Sequence, residues 1–86
     1  MADLVIPIVH MNGTSREALK DERANVIDAL VEAGKHLARM APNGRDYYLE
    51  KGLMDKAVAQ QERRMNTLKS LITELEAELE AIDSAS

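Results

Sequence analysis

The sequence predicts an all-α fold: an antiparallel, coiled-coil-like helical hairpin with a short extended N-terminal arm, completed by self-association. Three observations carry that prediction. Two long segments repeat apolar residues at helical spacing, a Pro and Asn-Gly interruption (Pro42, Asn43, Gly44) separates them, and the 86-residue chain is too short for a large core. A domain this small ordinarily needs disulfides, a metal or association. The chain has no cysteine, and its two histidines, His10 and His36, are far apart and in no ligand spacing, so no metal or other cofactor is expected and association remains.

Residues 1–13 read as arm and turn. The stretch Leu4-Val5-Ile6-Pro7-Ile8-Val9 is dense in β-branched residues, but Pro7 demotes it to an edge strand or an extended arm. It is short, lacks a basic flank and does not read as a signal peptide. An apolar arm is expected to lie on the helices or on a neighbouring subunit. Asn12-Gly13 marks a turn, and Thr14 followed three residues later by Glu17 reads as a capping box, with Thr14 as N-cap.

The first helix is expected over 15–41. Leu19, Val26, Leu30, Ala33, Leu37 and Met40 form one stripe, and Ile27, Val31, Gly34, Ala38 and Ala41 form a second beside it. A face this wide suits more than one partner, one stripe for the second helix and the other for another chain. The loop spans 42–52. The second helix is expected over 53–82, with 83–86 as a tail. Met54, Val58, Gln61, Met65, Leu68, Ile72, Leu75, Leu79 and Ile82 alternate steps of four and three, the pattern of a helix that keeps one seam on its partner. Gln61, the polar interruption, either sets the register or sits at a wet edge, the second being preferred. Gly52 either breaks this helix or is absorbed within it.

Charge narrows the function classes. A net charge of −4 is wrong for coating DNA or RNA, and no apolar run approaches the roughly 20 residues that span a bilayer. The expectation is a soluble, cytoplasmic protein without nucleic-acid or membrane partners. The charge is uneven. Glu74, Glu76, Glu78, Glu80 and Asp83 form an acidic end without a base. Lys35, Arg39, Arg45, Lys51 and Lys56, with His36, outweigh Asp46, Glu50 and Asp55 around the loop. His36 also stands one helical turn after Glu32 and is expected to pair with it.

The chain's two aromatic residues, Tyr47 and Tyr48, both fall in this basic loop beside Arg45. Rings next to a guanidinium suit the stacking of a planar ligand and the neutralisation of its phosphates. Arg39 and Lys35, on the last turns of the first helix, would help with phosphate. The alternative is structural, one tyrosine plugging the hairpin end and the other covering it. A second candidate is the turn Asn12, Gly13, Thr14 and Ser15, whose backbone N–H groups and hydroxyls suit an anion, although capping alone explains these residues. Asn12-Gly13-Thr14 also matches a glycosylation sequon, which an intracellular chain does not use. No nucleophile–base set, carboxylate pair, phosphate loop or metal cluster can be assembled, so no catalytic residues and no enzymatic activity are expected.

The combination His10-Met11-Asn12-Gly13-Thr14-Ser15 before a helix, Ala41-Pro42-Asn43-Gly44-Arg45-Asp46-Tyr47-Tyr48 at the loop and a coiled-coil second helix resembles small bacteriophage-encoded proteins of unknown function. In size and hairpin architecture the chain is also similar to the phage anti-CBASS and anti-Thoeris hairpin proteins. That resemblance implies a homo-oligomeric, non-enzymatic sponge that sequesters a nucleotide-derived immune signal at subunit junctions in the host cytoplasm. The alternatives are a virion or assembly component, or a helical adaptor docking other proteins, with the arm adding as a strand to its partner.

Overall fold

The computed structural model describes residues 4–84, and residues 1–3 of the arm and 85–86 of the tail lie outside them. Two helices, α1 (Arg16–Ala38) and α2 (Leu53–Ser84), pack against each other as an antiparallel hairpin measuring 62 × 23 × 17 Å. A single 3-10 turn, Gly44–Asp46, interrupts the loop.

Residues 4–10 form no helix, strand or turn. Leu4, Ile6, Pro7 and Val9 are half-buried within the chain, while Val5, Ile8 and Met11 face out. The arm ends in a tight turn in which the Gly13 N–H donates to the His10 carbonyl at 3.1 Å.

The first cap differs from expectation. Ser15, not Thr14, is the N-cap of α1, its hydroxyl accepting from the Ala18 N–H at 3.2 Å. Both residues are competent caps, and moving the boundary by one residue puts Ala18 rather than Glu17 at the third helical position. That removes the reciprocal half of the capping box. The helix also ends earlier than 41. Arg39, Met40 and Ala41 donate to the carbonyls of His36, Leu37 and Ala38, three residues back, so the chain tightens out of α geometry before Pro42.

At the start of α2, Gly52 adopts φ +82°, and its carbonyl accepts from the Lys56 N–H at 3.2 Å. Gly52 therefore stands just outside the helix, in a left-handed conformation that side chains with a Cβ disfavour. The other end of α2 runs on to Ser84, so Asp83 and Ser84, expected in the tail, are helical.

The seam of α2 follows the repeat, with Met54, Gln61, Met65, Leu68, Ile72, Leu75 and Leu79 half-buried and Ile82 fully buried. At its loop-proximal end Ala57 is half-buried and Val58 is exposed. The facing side of α1 does not respect the two stripes. Its less exposed residues include Leu19, Arg23, Ile27, Leu30, Gly34 and Leu37, which cut across both. A seam must keep the alternating spacing of its partner, and that spacing leaves Val26 and Met40 of one stripe and Val31 of the other exposed. Gly34 is where the helices come close, because a Cβ there would lie 3.2 Å from Leu68 Cδ2.

Gln61 is not at a wet edge. It is half-buried, and its Nε2 donates to the Leu37 carbonyl at 2.7 Å. The polar seam residue adds a second donor to a carbonyl that the Met40 N–H also reaches, and fixes α2 against the end of α1. Neither helix among the described residues is long and apolar enough to cross a membrane.

Candidate functional site

The hairpin has a loop end and a free end, and the candidate residues divide between them. Arg39, Arg45, Tyr47 and Tyr48 occupy the loop end, with Lys35 one turn back on α1. Asn12, Gly13, Thr14 and Ser15 lie at the start of α1. The 23 residues of that helix separate the groups by about 35 Å, so a single chain does not bring them together.

At the loop end, Asn43 organises the turn. Its side-chain oxygen accepts from the Arg45 backbone N–H at 2.9 Å and from Arg45 Nε at 3.4 Å. An asparagine in extended geometry caps the 3-10 turn in this way, and the turn closes when the Tyr47 N–H donates to the Gly44 carbonyl at 3.2 Å. The two tyrosines then part. Tyr47 is half-buried, whereas Tyr48 is 74% exposed and Leu49 beside it is also exposed.

The bases at this end differ in their engagement. Lys35 pairs with Glu32 at 3.4 Å, and His36 Nε2 lies 3.8 Å from the same carboxylate, the expected i, i+4 contact. Arg39 Nη1 reaches His36 Nδ1 at 3.5 Å. Neither Arg39 nor Arg45 forms an ion pair among the described residues. Two exposed guanidiniums with no carboxylate partner, close in sequence to an exposed ring, can receive an anionic planar group.

The turn before α1 is more fully occupied. The Ser15 hydroxyl is taken by the cap, and the His10 ring folds over Gly13, where an added Cβ would meet His10 Nε2 at 2.6 Å. The ring and the glycine therefore approach closely, a relation the turn signal does not reveal.

The free end holds a cluster that sequence reasoning missed. Lys20 Nζ donates to Asp83 Oδ1 at 2.6 Å, and Glu17 lies 3.8 Å from the same ammonium. The hydrogen bond to Asp83 raises the Lys20 pKa above its ordinary value, and that bond and the lysine's charge hold the Asp83 carboxyl below the usual range. Arg23 Nε reaches Glu78 Oε1 at 3.4 Å, while its Nη1 donates to the Leu19 carbonyl at 3.2 Å. Asp21, Glu76, Leu79 and Glu80 line a groove beside the Lys20–Asp83 pair. Its walls are mainly acidic and its lysine is engaged, so this groove does not suit an anion. The acid run in α2 was the one signal available for it. The α1 partners follow from a register that only the packed hairpin defines.

Among the described residues no group of His, Asp or Glu side chains is arranged to hold a metal ion. Comparison with protein-family models, with curated proteins and with solved structures finds no match to this chain.

Proposed function

We propose that this protein is a non-enzymatic, self-associating helical binding module whose working end is the loop. It captures a small nucleotide-derived ligand at a junction between subunits, with Tyr48 stacking on the base, Tyr47 backing it, and Arg45 and Arg39 taking the phosphate. One observation carries this reading: Arg45 and Arg39 are exposed without a carboxylate partner among the described residues, in the loop that also exposes Tyr48. Lys35 is a weaker contributor, because Glu32 already holds it. The Asn12–Ser15 turn reaches the ligand only when a second chain presents it. Sequestration of an immune signal in a phage-infected cytoplasm is the biological role this chemistry fits.

Isothermal titration against cyclic di- and trinucleotides and ADP-ribose derivatives tests the reading. Saturable binding by the wild type and its loss in the double variant Tyr47→Ala, Tyr48→Ala with helicity retained are expected. Absence of binding across the panel removes the ligand reading, and unchanged affinity in the double variant removes the site.

A second reading is a docking role in an assembly, favoured by the outward-facing Val5, Ile8 and Met11 of the N-terminal arm. An unpaired arm of this kind can add to a partner's sheet edge. Stoichiometric recovery of the protein in purified particles, with loss of incorporation on Ile8→Asp, would select it over the first.

A further inference from the structure

The described residues place only Leu19 and Ile82 in the buried core, while Val26 and Leu71 remain 46% and 43% exposed on the helix faces. These two belong to one side of the hairpin. Val26 lines a shallow groove with Glu22, Arg23, Leu75 and Glu78, and Leu71 stands one helical turn before Leu75.

The side has an ordered charge pattern. Arg64, Leu71 and Glu78 recur at intervals of seven along α2, so they share one face, with the base and the acid each about 10 Å from the central leucine. Arg64 is exposed and makes no ion pair among the described residues. Glu78 offers Arg23 its Oε1, which leaves the second oxygen of the carboxylate for another donor.

A row that reads base, apolar, acid is complementary to itself only when reversed. Turned about a two-fold axis at Leu71, it places Arg64 of each copy on Glu78 of the other and Leu71 on Leu71. A parallel arrangement sets base on base and acid on acid. The whole chain repeats this polarity. Residues 28–71, nearest the loop, carry eight Lys and Arg against six Asp and Glu, and the remainder carries three against nine. An antiparallel pair lays each acidic free end along the other copy's basic loop end, where the fields attract.

We propose that a second copy of this chain docks antiparallel on the α2 row Arg64–Leu71–Glu78, with Val26 at the margin of the contact, forming an isologous two-fold dimer. The inference deepens the self-association in the reading above and rests on it. It also brings the Asn12–Ser15 turn of one copy toward the loop end of the other, the only way two chains in this register can join the two halves of the candidate site.

The chain contains no cysteine, so single introduced thiols report on orientation. Leu71→Cys is expected to form a disulfide-linked dimer under mild oxidation. Arg64→Cys is not, because the two copies of position 64 would lie about 21 Å apart along the antiparallel axes, beyond disulfide reach. Light scattering should give the wild type an even multiple of 9.5 kDa. Leu71→Asp should release monomer with helical circular dichroism retained, and Arg64→Glu should weaken association by about tenfold or more through like charges at both ends of the contact. Cross-linking through Arg64→Cys as readily as through Leu71→Cys overturns the orientation. An unchanged oligomer in Leu71→Asp, or an oligomeric wild type that Leu71→Cys fails to cross-link, overturns the face. If Leu71→Asp unfolds, the two cysteine variants decide alone. A monomeric wild type defeats the broader self-association reading, a result distinct from the other failures.

Discussion

The two ends of the hairpin are held by different physics. At the free end, the fully buried Ile82 and nearly buried Leu19 form the packed core, braced by the Arg23–Glu78 and Lys20–Asp83 pairs. At the loop end no residue from Arg39 to Gly52 is buried. That end is shaped by backbone and amide hydrogen bonds: Gln61 to the Leu37 carbonyl, Asn43 to Arg45, and the left-handed Gly52. Apolar burial supplies most folding stability, whereas a hydrogen bond contributes a modest net amount but sets geometry. The free end therefore secures the fold, and the loop end, with little buried area to lose, is free to present Tyr48 and its arginines.

Substitutions can break this contrast at either end. The largest effect is expected from Ile82→Ala, which removes the most deeply buried side chain and should cost about 2–5 kcal/mol in urea unfolding. A cost below about 1 kcal/mol would show that the free end is not the main store of packing energy. Gly52→Ala comes next. A Cβ at φ +82° should cost roughly 1–2 kcal/mol, although no atom lies within 4 Å of where it would stand. A neutral outcome would mean that the chain enters α2 by another backbone path. Gln61→Ala should cost about 1 kcal/mol by leaving the Leu37 carbonyl less well satisfied, and amide exchange should rise first near the end of α1.

The smallest effect concerns pH. The Asp83 carboxyl is held low chiefly by its hydrogen bond from Lys20, so its contribution is present above the ordinary carboxylate range and disappears as pH falls through the folded value. Lys20 is raised by the same bond, so its contribution is complete below the ordinary lysine value of 10.5 and disappears as pH rises through the raised one. Asp83 is exposed and Lys20 half-buried at the surface, and Asp83→Asn should only flatten the acid limb of a urea-midpoint profile, an effect that high salt also weakens.

The same contrast explains what could be read from the sequence. The hairpin and the α2 seam were legible because a repeat of four and three has one structural meaning when sustained over many turns. The turn at Pro42 to Gly44 was legible because backbone chemistry decides it locally. The capping residue was misplaced by one because Thr14 and Ser15 are chemically equivalent caps and only the path of the arm distinguishes them. The free-end pairs join residues 55 and 63 positions apart, and the Gln61 bond spans 24, so none of them exists until the register does. In the candidate site, composition pointed to the tyrosines and arginines, but not to the unequal exposure of Tyr47 and Tyr48. That difference exists only in the folded loop.

The elongated outline has a hydrodynamic consequence. A spherical domain of this length would have a radius of gyration near 12 Å, and the hairpin has 18.3 Å. Its frictional drag belongs to a heavier molecule, so on a gel-filtration column calibrated with compact standards it would elute ahead of a compact protein of its own mass. Tumbling would be anisotropic as well, with amide vectors along the helices relaxing more slowly than those in the loop that crosses the axis.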